Sequence, residues 1–246
     1  MNRPIGILDS GVGGLTIWKE IIKKLPNEST IYIGDSKNIP YGTKTPKGIH
    51  KLARKLVQVL VKKNVKLIVI ACNTITVTSL DKLRREFPQI PIVGTVPVVK
   101  TAAEKTKKGR IGILSTVRTA KSQYQKDLIK KFAKDFKVLN IGTDKLVPLI
   151  EKGEDVDSVL NEILEPFSEV DVLALGCTHF PLIKDKIKKI LGPKVLVLDS
   201  SAAIARQVKR VLMHNQILSN NKKAKHYFYT TGDKTIYNKK AKRVSL

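Results

Sequence analysis

Arg3-Pro4-Ile5-Gly6-Ile7-Leu8-Asp9-Ser10 is a short apolar run that ends abruptly on an acid and a hydroxyl. Gly109-Arg110-Ile111-Gly112-Ile113-Leu114-Ser115-Thr116 echoes it at an offset of 106 residues. A second pair follows at an offset of 105: Ile70-Ala71-Cys72-Asn73-Thr74 and Leu175-Gly176-Cys177-Thr178-His179. Two matches at nearly one offset imply two similar half-molecules. Outward from these runs, β-branched stretches at 5–8, 30–33, 66–71 and 92–94 read as strands. Amphipathic stretches at 15–24, 46–63 and 76–87 read as helices between them, with Thr45-Pro46 as a start signal and Pro26 and Pro88 as stops. The pattern begins again with strands at 111–114, 137–140, 172–175 and 195–198, and helices at 121–136, 156–166, 181–191 and 202–214. Strand–helix alternation implies a parallel sheet covered on both faces by right-handed crossovers. The expected fold is therefore α/β: two similar parallel-sheet domains in a pseudo-twofold relation, with an active site in the cleft between them. Residues 219–226 read as a polar loop and 226–231 as a last strand returning to the first half. The expected domains are 1–98 plus 208–246, and 99–207.

The chain has 246 residues, 42% of them hydrophobic, enough to bury a full core. No apolar stretch approaches the ~18 residues that span a bilayer, and the first residues lack a signal peptide's order, so no membrane association and a cytoplasmic location are expected. Two cysteines exclude a disulfide framework and a zinc site built mainly of thiolates. The net charge is +25, from 46 Lys and Arg against 21 Asp and Glu. Only 9 of the cations are Arg, the residue suited to bidentate phosphate and base contacts. The lysines are scattered, as in Lys23-Lys24, Lys62-Lys63, Lys130-Lys131 and Lys188-Lys189, and aromatic residues make up only 5%. That composition reads as a solvated surface, with nucleic acid held only nonspecifically at low salt. A polyanion-binding protein is the alternative from another class.

Open parallel sheets bind ligands beyond the carboxyl ends of their strands. Asp9-Ser10-Gly11, Gly34-Asp35, Cys72-Asn73-Thr74 and Cys177-Thr178-His179 all fall at such ends. Both cysteines precede expected helices, where free N–H groups and the helix dipole favour a thiolate and suit a bound carboxylate. One cysteine at a strand end is ordinarily core material. Two in equivalent places of two repeats, each followed by amide, hydroxyl or imidazole groups, point to chemistry instead. Racemisation needs a base on one face of a carbon and an acid on the other, with the roles exchanged for the reverse reaction. A thiol, with an ordinary pKa of about 8.5, fits either role after a modest shift. Residues 9–14 alone make a weak glycine-rich loop without the Lys-Ser/Thr ending of a P-loop. Pro40-Tyr41-Gly42 reads equally as a simple turn. His50, His214 and His226 read as surface residues.

Taken together, the motifs resemble the glutamate racemase family of cofactor-independent amino-acid racemases. The stretches that carry the resemblance are 5–16, Tyr32-Ile33-Gly34-Asp35 with Pro40-Tyr41-Gly42, and Ala71-Cys72-Asn73-Thr74. Val147-Pro148-Leu149-Ile150-Glu151, 175–182 and Phe228-Tyr229-Thr230-Thr231-Gly232-Asp233 continue it over essentially the whole chain. The resemblance implies a bacterial enzyme that interconverts L- and D-glutamate and supplies D-glutamate for peptidoglycan. It implies no pyridoxal phosphate, no metal and a homodimer. Carried over by position, Cys72 and Cys177 are the two acid/base residues. Asp9, Ser10, Tyr41, Gly42, Asn73, Thr74, Thr178 and His179 hold the substrate, Asp9 and His179 also assisting the thiols. Thr116 and Thr119 add carboxylate contacts, and Glu151 lies near the second thiol. The chain departs from the family at Ile141-Gly142-Thr143-Asp144-Lys145, where Ala-Cys-Pro is frequent. A racemase of aspartate or another small acid is the enzymatic alternative.

Overall fold

A computed structural model describes residues 2–95 and 98–233. In chain order the elements are β1 (Ile5–Asp9), α1 (Leu15–Lys24), β2 (Thr30–Gly34), α2 (Pro46–Lys62), β3 (Leu67–Ile70), α3 (Asn73–Glu86) and β4 (Ile92–Val93). Next come α4 (Val98–Lys105), β5 (Arg110–Ser115), α5 (Val117–Ala120), α6 (Gln123–Phe132), β6 (Lys137–Gly142), α7 (Leu146–Lys152) and α8 (Asp157–Leu164). The last are β7 (Val172–Gly176), α9 (Lys184–Leu191), β8 (Leu196–Leu198), α10 (Ser201–His214) and β9 (His226–Thr230). Contacts divide the chain into Met1–Val96 with Ser201–Leu246, and Pro97–Ser200. Because α10 packs on α1, the return to the first unit falls before that helix, not at the expected 207/208 break inside it. Residues 234–246 of the expected first domain lie outside the described residues.

The first unit holds a parallel sheet of order β4-β3-β1-β2-β9, the second a parallel sheet of order β6-β5-β7-β8. Read from the other edge, the second is β8-β7-β5-β6, the same order as the first without β9. The registers agree as well: Ile5 pairs with Leu67 in one sheet, and Ile111 pairs with Val172 in the other. The echo in the sequence is thus a repeated β-topology. β1, β2, β3 and β7 are buried along their whole length, as strands covered on both faces must be.

Local signals account for several helix ends. Thr45 Oγ1 accepts a hydrogen bond from the Gly48 amide at 3.1 Å and Pro46 takes the first helical position, so α2 starts where expected. α2 buries Ile49, Ala53, Leu56, Val57 and Leu60, one apolar stripe that covers the sheet together with α3. The helix expected over 121–136 is shorter, running Gln123–Phe132, and a separate one-turn helix, α5, precedes it. Thr116 Oγ1 accepts from the Thr119 amide and Ser122 Oγ from the Gln125 amide, each starting its own helix. α4 and α7 were not anticipated. α7 is only seven residues long with Pro148 in its first turn, and Gly153 ends it at φ 73°.

β9 adds to the open edge of β2, which is how the tail rejoins the first unit. An aromatic stack fixes it there: Trp18 lies 5.2 Å from Tyr32 and 5.9 Å from Phe228, with Tyr32 and Phe228 5.6 Å apart. Trp18 Nε1 also donates to Thr30 Oγ1 at 2.7 Å. Among the described residues no helix is long and apolar enough to cross a membrane.

In the second unit, Asp171 ties down the turn into β5. Its carboxylate accepts from Thr106 Oγ1 at 2.7 Å and from the amides of Lys107, Lys108 and Arg110 at 2.6, 2.9 and 3.3 Å. Burial alone would raise its pKa, but the four donors outweigh burial and lower it from 3.8 to about 2. A carboxyl with a depressed folded-state pKa stabilises above its unfolded value and loses that contribution as pH falls toward the folded one. Asp171→Asn is therefore expected to cost about 2 kcal/mol at pH 6. The difference from wild type should close between pH 4 and pH 2, as followed by urea unfolding. A pH-independent difference would refute this assignment.

Candidate active site

Gly14 is where the loop after β1 needs glycine: a Cβ there would lie 2.7 Å from both the Asp9 Cβ and the Tyr32 hydroxyl. The close approach seals Asp9 from solvent, and Asp9 Oδ1 accepts from the Gly11 amide at 2.8 Å. The Tyr32 hydroxyl donates to the Gly11 carbonyl at 2.7 Å. The glycine-rich loop thus shapes the end of β1, and Ser10 follows it, buried. Cys72 stands at the N-cap of α3, a 14-residue helix, with its sulfur 3.5 Å from Ser10 Oγ. The first turn of α3 carries Asn73 and the buried Thr74, leaving amide donors and the positive end of the dipole beside the thiol.

Tyr41 and Gly42 are buried after the turn that follows β2. The Tyr41 hydroxyl donates to Asp35 Oδ2 at 2.6 Å. Burial first, then the bond to Asp35 and the negative potential of Asp35, Cys72 and Asp9, push this phenol far above its ordinary range. Tyr41 is therefore a fixed hydrogen-bond donor beside Cys72 and Asp9, not a base. Asp35 also accepts from Asn38 Nδ2 at 2.9 Å and from Thr231 Oγ1, joining the end of β9 to the site. Its place after Gly34 was the available signal, but no spacing or motif marks it as the anchor of Tyr41.

The second unit builds its own half-site on the equivalent strand. Cys177 follows β7 as Cys72 follows β3, and both sulfurs are buried. The local chain differs from expectation here. A 3-10 turn, Phe180–Ile183, comes first and α9 starts only at Lys184, so no α-helix N-terminus abuts Cys177. Its polar neighbour is His179, whose Nδ1 lies 3.9 Å from the sulfur while Nε2 lies 2.6 Å from Glu151 Oε1. Burial pulls the imidazole pKa down, yet the thiol and the carboxylate together carry it well above 6.5. An imidazolium is thereby held between a sulfur and a carboxylate. Thr178 is buried alongside, and Thr116, at the end of β5, donates from its hydroxyl to Thr119 Oγ1 at 3.0 Å, both buried. His50 pairs with Glu86 at 2.8 Å and His226 contacts Thr30 Oγ1, away from both half-sites.

The Asp/Glu/Hydantoin racemase family model matches residues 6–208. The chain belongs to that family. This racemase is 41% identical over 249 residues to a glutamate racemase of Lactobacillus acidophilus, covering 98% of this chain and 92% of that protein. Among solved structures, a glutamate racemase isoform from Bacillus anthracis superposes with a TM-score of 0.89 at 35% identity, covering 98% of this chain and 93% of the other. A glutamate racemase from Francisella tularensis, solved with D-glutamate, gives 0.87 at 34% identity, covering 99% and 93%. The protein is accordingly an isomerase. Among this racemase's described residues no group of three or more His, Cys, Asp and Glu side chains converges as metal ligands.

Proposed function

We propose that the protein interconverts L- and D-glutamate by moving the Cα proton between the thiols of Cys72 and Cys177, on opposite faces of one substrate carbon. The observation that carries this reading is the equivalence of the two thiols. Each follows the corresponding strand of a sheet with the same strand order, and each is buried beside its own polar escort. One sulfur in its thiolate form takes the proton; the C–H electron pair passes into the adjacent carboxylate as an enolate-like carbanion. The other thiol then delivers its proton to the opposite face, and the reverse reaction exchanges the roles. A protonated His179 beside Cys177 supplies the positive charge that a thiolate needs, with Glu151 fixing the ring. Cys72 is escorted differently, by the Ser10 hydroxyl, within hydrogen-bonding reach of the sulfur, and by the amide end of α3.

In this reading the amides of Asn73 and Thr74 at the start of α3 receive a substrate carboxylate. Tyr41, whose hydroxyl proton goes to Asp35 and leaves its oxygen to accept, meets the remaining polar groups with Gly42, Thr178, Ser10 and Asp9. D-glutamate from the reaction serves peptidoglycan synthesis, and the enzyme acts in the cytoplasm as a homodimer. Relatives named as glutamate racemases across nearly the whole chain support glutamate over aspartate as substrate. Incubation with L-glutamate in D2O, with no cofactor added, is expected to place deuterium at Cα as D-glutamate accumulates, read by NMR and chiral chromatography. A folded, reduced sample that exchanges nothing, or one that prefers aspartate, overturns the proposal.

A further inference from the structure

A cavity of about 780 Å³ opens in the second unit, at the end of its sheet away from Cys177. Asp171, at its wall, precedes β7 and Cys177 follows it, a separation of about 20 Å along the strand. Six lysines line the cavity: Lys105, Lys107, Lys108, Lys188, Lys189 and Lys194. Val195 and Val197 form part of its apolar wall.

Elsewhere in this unit lysines meet carboxylates: Lys145 with Glu162, Lys184 with Asp199, and Lys186 with Asp155 and Asp157. Among the described residues none of the six has an ion-pair partner. The one acid in the lining, Asp171, is engaged by Thr106 and by three backbone amides. Six cations around one recess repel each other, and a multivalent anion seated there would relieve that repulsion. The Asp171 bonds also hold the backbone of Lys107 and Lys108 in place, so part of the rim needs no reordering on binding.

We propose that this cavity binds a small ligand carrying linked phosphates. Orthophosphate would leave most of the volume empty and most of the charges unmatched. No aromatic side chain lines the recess, so there is no platform for stacked bases, and recognition falls on the phosphate chain. The site is independent of the racemase reading and uses none of its residues.

The test is calorimetric titration of the full chain at 150 mM salt with tripolyphosphate, ATP, orthophosphate and a 20-base-pair duplex. Binding of tripolyphosphate is expected to weaken at least tenfold in K188A/K189A/K194A. It should change less than twofold in K126A/K130A/K134A, which removes the same charge from exposed positions on α6 and the turn after it. K105A/K107A/K108A provides a second cavity variant, and circular dichroism confirms the fold of each. ATP binding equal to tripolyphosphate identifies the phosphate chain alone as the ligand, whereas tighter ATP binding identifies a nucleotide. Equal weakening by cavity and control variants, or no binding at this salt, overturns the proposal. Tighter cavity-dependent binding of the duplex overturns it in favour of nucleic acid.

Discussion

Cys72→Ser and Cys177→Ser are each expected to lower racemisation by about 10³-fold, within the range that a positioned acid or base contributes. Serine is close in size to cysteine, and both positions are buried, so circular dichroism and thermal unfolding should change little. What changes is acidity: an alcohol holds its proton far more tightly than a thiol and cannot share the exchange at neutral pH. The informative outcome is asymmetry. Each variant retains one thiol, able to remove the Cα proton from one enantiomer and return a solvent deuteron to the same face. Deuterium should then enter one enantiomer without inversion, and the two variants should choose opposite enantiomers. NMR of each enantiomer after incubation in D2O reads this directly. Retention of more than a tenth of wild-type turnover by either variant, or the same enantiomeric preference in both, contradicts the assignment of one thiol to each face.

The sheets were legible in the sequence because strands buried on both faces read as unbroken β-branched runs, and the echo of residues 3–10 at 109–116 announced a repeated topology. The return of the tail was legible in the aromatic run at 226–231, which became the half-exposed edge strand β9. Helices were less so where capping overrode periodicity. The helix expected from 121 starts instead at Gln123, where the Ser122 hydroxyl caps it, and ends at Phe132 rather than 136. Pro181, read as the start of a helix, opens a 3-10 turn instead, which leaves Cys177 dependent on His179 for its electrostatics. Within the candidate site, residues at strand ends could be read by position. Contacts that depend on tertiary closure could not be read from the residues: Glu151, put near the second thiol by the resemblance alone, reaches His179 across 28 residues, and Thr231 reaches Asp35 across 196. No period or spacing encodes such pairs.

The same blindness hid the pair expected to matter most for stability. Glu28→Gln should destabilise the first unit by about 3–5 kcal/mol, the usual consequence of leaving one member of a buried ion pair alone. Glu28 Oε2 lies 2.7 Å from Lys66 Nζ, and both side chains are only 1% exposed. The two flank the amino ends of β2 and β3, and each also holds the segment that leads from α10 to β9. The Ser219 amide donates to Glu28 Oε1 at 2.7 Å, and Lys66 Nζ donates to the Ile217 carbonyl at 2.7 Å. Glutamine preserves shape and still offers an oxygen to Ser219, so the substitution isolates the charge. Lys66→Met should cost a similar amount, since it strands the carboxylate. The double variant Glu28→Gln/Lys66→Met removes both charges and should be less destabilised than the sum of the two by about 2–3 kcal/mol. Recovery stays incomplete because the Ile217 carbonyl loses its donor, a cost of about 1–3 kcal/mol. Trp18, the only tryptophan, is the natural probe: it stacks near Phe228 of β9, so loosening of the 217–219 segment reaches the fluorophore. Urea unfolding followed by its emission gives the three free energies. A loss below 1 kcal/mol in both single variants would mean that the pair does not hold the tail to the sheet.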